Sequence, residues 1–152
     1  MKITDFVDKD HMELDLKAKT KDQVLNELVD IAVATGRVKD RDEILRAVIE
    51  RENLCSTGFE NGVAIPHPRQ GHPDVVENLV AVFGRSKDGI DFEALDGEPV
   101  YIFFLLSAPT DSEHLKALAK LSRFLKRKAF RERLIAAQTP DDVWQILEEE
   151  EE

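Results

Sequence analysis

The side chain best placed for chemistry in this 152-residue chain is that of His67. It follows the apolar residues 63–65 and stands between Pro66 and Pro68. Proline has a fixed φ and no backbone N–H, so Pro66 ends a strand and Pro68 biases His67 towards an extended backbone. A neutral imidazole is a competent nucleophile near pH 7. We therefore take His67 as the leading catalytic candidate, with an idle histidine in a surface loop as the alternative.

Two further side chains are candidates for holding an anion. His114 falls in the first turn of a predicted helix, where the helix dipole disfavours imidazolium and leaves an N–H to donate. Arg51 closes another predicted helix, and a guanidinium near small polar residues suits an oxyanion. The small residues that follow it are Ser56, Thr57 and Gly58. The alternatives are a satisfied, half-buried histidine and a cation that only complements its own helix C-terminus.

Metal and nucleotide sites have little support in the sequence. His67 and His72 are separated by Pro68, so they cannot be neighbours on one helix face, and no CxxC or HExxH motif occurs. Zinc held by His67, His72 and His114 stays open as an alternative that only long-range folding would allow. The chain also lacks GxxxxGK[ST], GxGxxG and GxSxG motifs. We therefore expect no cofactor and no metal.

Composition restricts the class of protein. Apolar residues make up 42% of the chain and charged residues 34%, as in folded domains, and the net charge of −10 argues against nucleic acid as a partner. The longest apolar run, residues 100–106, is too short to cross a bilayer. The N-terminus lacks the apolar core of a signal segment, and Cys55 is the only cysteine, expected to be a packed thiol. These features favour a cytoplasmic location.

Charge is unevenly distributed near the C-terminus. An acidic tail occupies residues 148–152, and its end is expected to fray. A basic cluster precedes it and consists of Arg123, Lys126, Arg127, Lys128, Arg131 and Arg133. We interpret both as solvated helix faces. Steering of a charged protein partner is the alternative.

Capping patterns predict where most helices begin. The predicted N-caps are Thr20, Asp40, Thr110 and Thr139, the last followed by proline at the first helical position. Apolar residues recur at helical spacing after each of these caps. Another short helix is expected over residues 130–137.

Apolar runs predict the strands. Residues 79–83 and 100–106 are continuously apolar, which indicates strands covered on both faces. Shorter candidates lie at 62–65, 12–16 and 90–92. The predicted fold is a single α/β domain over residues 1–152: a three-layer sandwich with a mixed central sheet of about five strands and helices on both faces.

The run from Arg51 to His67, RENLCSTGFENGVAIPH, resembles the enzyme IIA domain of the fructose–mannitol type in the bacterial phosphoenolpyruvate phosphotransferase system. The nitrogen-regulatory enzyme IIA proteins belong to the same family. The resemblance extends to residues 100–106 and to Ser-Glu-His-Leu at 112–115. It implies a phosphohistidine carrier in which His67 takes the phosphoryl group, while His114 and Arg51 are the second histidine and the arginine of the site.

The resemblance also implies partners. The donor would be the histidine phosphocarrier protein HPr, and the acceptor would be an enzyme IIB. The nitrogen-regulatory branch would instead control a target protein according to its own phosphorylation state. Neither nucleic acid nor membrane insertion is expected. Ser56, Thr57 and Gly58 would form the loop at the phosphate. The sequence departs from the family at Pro68, where a smaller residue is common, and at Glu60, where glycine is common.

Overall fold

A mixed sheet separates two layers of helices in the computed structural model of the chain, which describes residues 1–151. The strands are β1 (Val63–Ala64), β2 (Val80–Ile90) and β3 (Val100–Ser107). Their order is β1-β3-β2, with β1 parallel and β2 antiparallel to β3. The helices are α1 (Ile3–Phe6), α2 (Lys21–Ala34), α3 (Arg41–Leu54), α4 (Asp111–Leu125), α5 (Lys128–Ala136) and α6 (Pro140–Glu150).

Strand β3 shows why the sequence pattern is continuously apolar. Ile102, Phe104 and Leu106 pack on one face with residues of α1, α4, α5 and α6. Phe103 and Leu105 pack on the other face with residues of α2 and α3. Successive side chains point to opposite faces of a sheet, so a strand covered on both sides must be apolar at every position. The predicted α/β fold with helices on both faces of a mixed sheet is confirmed.

The sheet is smaller than predicted, with three strands among residues 1–151 rather than about five. Residues 12–16 do run beside β2, and Glu13 exchanges backbone hydrogen bonds with Phe83 and Arg85 at 3.1 and 2.8 Å. The chain bends directly afterwards, at residues 14 and 15. The pairing is therefore limited to a single bridge, and the predicted edge strand at 12–16 was wrong.

The predicted short strand at 90–92 was wrong for a different reason. Strand β2 continues from the predicted run at 79–83 as far as Ile90, with a shift of register between Arg85 and Ile90. Gly89, at φ 82°, takes up the irregularity. The strand is longer as a result, and the sheet gains no additional member.

The predicted helix starts are confirmed. The side chains of the four N-caps each accept a hydrogen bond from the backbone N–H three residues later, at 3.1 to 3.2 Å. The sequence did not predict α1, whose four residues bury Ile3 and Phe6 in the core. Among residues 1–151, no helix combines the length and apolarity needed to cross a membrane.

The acidic tail is folded. Helix α6 continues to Glu150, whose carboxylate pairs with Arg127 at 3.5 Å and with Arg133 at 3.2 Å. Glu151 pairs with Lys120 at 3.1 Å. Helical structure and ion pairs thus extend into the acidic tail, and its final glutamate, where fraying is predicted, lies outside the described residues. Two members of the basic cluster, Arg127 and Arg133, thus pair with the C-terminal helix while their side chains stay partly exposed.

The loop after β1 lies directly across the start of α4. The Gly71 N–H donates to the Asp111 carboxylate at 2.7 Å. A Cβ at Gly71 would lie 2.6 to 2.8 Å from backbone atoms of Thr110, closer than real contacts allow. Because only glycine permits this approach, Gly71 brings the loop against the helix that carries His114.

Replacing this glycine should therefore loosen the junction. We expect Gly71→Ala to lower the free energy of unfolding by about 1–3 kcal/mol, because the added Cβ must displace backbone. Urea denaturation followed by circular dichroism would measure it. The matched control is Gln70→Ala, at the exposed neighbouring position, which should unfold like the wild type. Equal unfolding midpoints for both variants would contradict the close approach.

Candidate active site

His67 is held by a backbone carbonyl two residues before it. The side chain is buried, with 7% of its surface exposed, and Nδ1 lies 2.6 Å from the Ile65 carbonyl oxygen. A carbonyl can only accept, so Nδ1 carries the proton and Nε2 keeps its lone pair. The Leu106 N–H bonds to the Pro66 carbonyl at 3.0 Å, whereas the Ile65 carbonyl points away from β3 and accepts from the imidazole. The tautomer of His67 is thereby assigned from its hydrogen bond.

Electrostatics keep His67 neutral. Burial lowers its pKa, and the nearby Arg51 charge acts in the same direction, while the hydrogen bond to Ile65 opposes them. A neutral ring with Nδ1 protonated presents Nε2 as a nucleophile at physiological pH. The catalytic role of His67 stays a prediction, and its hydrogen bond leaves Nε2 as the nitrogen with a free lone pair.

His114 lies beside His67, as the sequence alone could not show. The two ring centroids are 5.0 Å apart, and the rings are tilted by 50°. His114 is 3% exposed, and its pKa is lowered to about 4 by burial and then by His67 and His72, with Asp111 opposing. The ring is therefore neutral.

The proton of His114 can also be assigned. Its Nδ1 is buried and has no hydrogen-bond partner among the described residues. A buried N–H without an acceptor is rare and costly, so the single proton of the neutral ring belongs on Nε2. Nε2 is then the nitrogen able to donate to an anion.

Arg51 stands in the last turn of α3 and is half-buried. Its Nη1 donates to the Cys55 carbonyl at 2.6 Å, which uses one of the five N–H groups of the guanidinium. Its influence on the pKa of His67 places its charge near that ring. Cys55 itself is exposed, so the expectation of a packed thiol was wrong.

The hydroxyl groups of the following loop are used within the protein. Ser56 Oγ donates to the Phe92 carbonyl and accepts from the Gly58 N–H, both at 3.0 Å. Thr57 is buried, and its hydroxyl bonds to the Glu52 carboxylate. These contacts shape the loop, and direct binding of phosphate by Ser56, Thr57 and Gly58 stays a prediction.

Glu52 is the residue of this region that the sequence did not single out. Its side chain is buried, although glutamate is almost never fully buried unless it is paired. Here it accepts from Thr57 and forms an ion pair with Lys21 at 3.0 Å. The available signal was a carboxylate directly after Arg51 and five residues before a threonine in a predicted loop.

His72 is half-buried and lines a surface cavity with Arg69 and Gln70, across from residues of α3. It is close enough to His114 to lower its pKa. Within residues 1–151, no group of three or more His, Cys, Asp or Glu side chains is arranged to hold a metal ion. The zinc alternative therefore has no geometric support.

The burial of His114 predicts its titration. We expect its imidazole to stay neutral down to about pH 4, because desolvation lowers its pKa to about 4. Two-dimensional NMR of ring carbons and nitrogens from pH 8 to pH 3.5 would follow it. Assignment by comparison with His114→Gln identifies the signals, and a midpoint near the ordinary value of about 6.5 would contradict the burial.

The same shift makes stability depend on pH. The unfolded chain takes up the His114 proton near pH 6.5, whereas the folded chain takes it up near pH 4. The unfolded state therefore binds more protons in this window, and the free energy of unfolding falls as the pH is lowered through it. In the same window, the free energy of unfolding of His114→Gln should fall less than that of the wild type, because this variant lacks the His114 imidazole.

Comparison with known proteins agrees with the geometry. Residues 5–150 match the family described as phosphoenolpyruvate-dependent sugar phosphotransferase system, EIIA 2. The chain is 37% identical over 149 residues to the fructose-specific EIIABC component of Bacillus subtilis, an alignment that covers 97% of this chain and 23% of that protein. This chain thus spans less than a quarter of that relative's length.

Two solved structures are also similar. The nitrogen regulatory protein IIA-Ntr from Neisseria meningitidis has a TM-score of 0.85 and 30% identity, covering 95% of this chain and 98% of that one. The mannitol enzyme IIA of Escherichia coli, solved in complex with phosphorylated mannitol enzyme IIB, has a TM-score of 0.77 and 25% identity, covering 91% and 94%. The family predicted from the run RENLCSTGFENGVAIPH is confirmed. This chain belongs to the EIIA 2 family of the phosphoenolpyruvate-dependent sugar phosphotransferase system.

Proposed function

We propose that this chain is a histidine phosphocarrier that accepts a phosphoryl group on Nε2 of His67 and passes it to a second protein. The observation that carries the proposal is the bond from His67 Nδ1 to the Ile65 carbonyl, which leaves Nε2 as the nucleophile. Membership of the EIIA 2 family supports it. As the bond between His67 Nε2 and phosphorus forms, the bond between phosphorus and the donor's imidazole breaks. The donor ring, protonated on its other nitrogen, leaves as neutral imidazole, while His67 keeps its proton on Nδ1.

His114 and Arg51 are proposed to stabilise the transferring group. Phosphoryl transfer depends mostly on positioning and on charge complementarity at the phosphoryl oxygens. A neutral His114 with Nε2 protonated donates a hydrogen bond without competing as a base, since its pKa is about 4. Arg51 supplies the positive charge near His67, and the loop of Ser56, Thr57 and Gly58 encloses the site.

Family membership supports a protein as the phosphoryl donor. Leu54 and Leu115, in the same helices as Arg51 and His114, are exposed by 64% and 63%. The proposed donor is therefore an HPr-type histidine phosphocarrier protein. The single free cysteine fits a cytoplasmic setting, and residues 1–152 are proposed to act as one domain.

The protein that the phosphorylated chain meets next defines two versions of this function. An enzyme IIB would make the chain part of sugar uptake, as the complex of the mannitol enzyme IIA suggests. A regulated protein would make it a phosphorylation-dependent switch, and the likeness to IIA-Ntr favours this second candidate. Incubating the phosphorylated chain with purified fructose or mannitol enzyme IIB separates them, because only the carrier loses its phosphate to the IIB protein.

The assignment of His67 predicts a specific loss. With phosphoenolpyruvate, enzyme I and HPr, the wild-type chain should gain one acid-labile phosphate, and His67→Ala should gain none because the nucleophile is missing. Phosphate-affinity electrophoresis before and after acid treatment would measure it. His72→Ala is the matched control and should label like the wild type. Full labelling of folded His67→Ala would rule out this acceptor.

The role given to His114 predicts a rate effect. His114→Ala should slow phosphorylation of His67 by about 10²- to 10³-fold, the usual effect of losing one donor to a transition-state oxyanion. Quenched-flow labelling with excess HPr would measure the single-turnover rate. His67 should still reach full labelling at long times, because its Nε2 is intact. Wild-type rates of phosphorylation and dephosphorylation would show that His114 is no such donor.

A further inference from the structure

We propose that Glu52 is a positioning residue. Its buried carboxylate holds a short hairpin, residues 57–65, and this hairpin orients His67 towards the incoming phosphoryl group. The inference rests on the proposed function, because it assigns Glu52 a part in presenting Nε2. Glu52 has no place among the residues that bind or react, and its side chain is only 2% exposed. A carboxylate removed from water this completely needs partners, and those partners define its role.

The carboxylate of Glu52 gathers donors from two other segments. The Thr57 N–H lies 3.2 Å from both carboxylate oxygens, and the Thr57 hydroxyl bonds to Oε1. Lys21, in the first turn of α2, contributes its ammonium at 3.0 Å. Charge-assisted hydrogen bonds are stronger than those between neutral groups, and dissolved salt screens them little when they are buried. The carboxylate therefore fixes where the chain runs at Thr57.

From Thr57 the path to the nucleophile is two hydrogen bonds long. The Ile65 N–H points to the Thr57 carbonyl at 3.4 Å, and the Ile65 carbonyl accepts from His67 Nδ1 at 2.6 Å. An antiparallel bridge between Gly58 and Ala64 joins the same two arms. A displacement at Thr57 therefore acts on the Ile65 N–H and, across the Ile65 Cα, on the carbonyl that sets the tautomer and direction of His67.

The hairpin is packed too tightly to absorb such a displacement. A Cβ at Gly58 would lie 3.1 Å from the Ala94 side chain, so the arm that Glu52 holds is already packed tightly. The turn places Asn61 and Gly62 at positive φ, 64° and 76°. Misplacement of a reacting group by about 1 Å can cost about 10²-fold in rate, so small shifts here affect transfer.

Four variants test the proposal. Glu52→Leu removes every acceptor at similar volume, Glu52→Gln keeps one acceptor oxygen, and Thr57→Val removes only the hydroxyl. Glu50→Gln, at an exposed position of the same helix, is the matched control. Nitrogen NMR of the unphosphorylated proteins reports the His67 tautomer, and single-turnover labelling by phosphorylated HPr reports the rate and the half-saturating HPr concentration.

We expect the wild type and Glu50→Gln to show one His67 tautomer, protonated on Nδ1. Glu52→Leu should show mixed tautomers and label about 100-fold more slowly, with Glu52→Gln and Thr57→Val about tenfold slower and the half-saturating HPr concentration unchanged. If Glu52→Leu does not fold, the two milder variants decide. Folded variants that lose only stability, with wild-type tautomer and rate, would overturn the proposal.

The tautomer measurement keeps this inference separate from the proposed function. It needs no phosphoryl donor, so it reports on the positioning of His67 even if the wild-type chain is never labelled. A tautomer that changes with Glu52 in a chain that accepts no phosphate would support the positioning and refute the carrier. If the wild type is labelled but the His67 tautomer is the same in every variant, the result would support the carrier function and refute the positioning role of Glu52.

Discussion

The hydrogen bond from His67 Nδ1 to the Ile65 carbonyl is the constraint on which the candidate site depends. It determines the tautomer, the direction of the ring and the nitrogen that can react. The bond is possible because backbone groups alternate in direction along an extended segment: the Pro66 carbonyl accepts from Leu106 of β3, whereas the Ile65 carbonyl points away from β3 and accepts from the imidazole. The two prolines that flank His67 restrict its backbone beside this bond.

Burial gives the site its electrical character. Two neutral histidines lie with their ring centroids 5.0 Å apart, in a protein whose net charge is −10. Burial lowers the pKa of both rings, so both are uncharged near pH 7. The permanent cation is Arg51, at the end of α3. An arriving phosphoryl group would meet one nucleophilic nitrogen, one neutral donor and one fixed positive charge.

Charged residues away from the site serve the fold. The basic cluster was interpreted as a solvated face, with steering of a partner as the alternative, yet Arg127 and Arg133 bind the last turn of α6. Buried Glu52 joins α2, α3 and the loop beside the site through Lys21 and Thr57. In both places, opposite charges that are distant in the sequence close a tertiary contact.

The sequence by itself determined the features that arise from neighbouring residues. The helix starts followed from Thr20, Asp40, Thr110 and Thr139, because a cap acts on backbone groups three residues away. The buried strands followed from their unbroken apolar runs, and the family from the run that ends at His67. His67 itself stood out because its two prolines are adjacent to it.

Only the tertiary structure decided what depends on distant residues meeting. The approach of His114 to His67 follows from the pairing of β1 with β3, which leads into α4, and Gly71 lies against the start of that helix. No local pattern encodes this meeting. The sheet lost its expected edge strand because the chain bends after Glu13. The sequence did not identify Glu52, because a glutamate at a helix end is usually exposed to solvent. Its burial arises from contacts with Lys21 and Thr57, which form only in the folded chain. Local signals fix elements, whereas burial and charge pairing arise only when those elements pack.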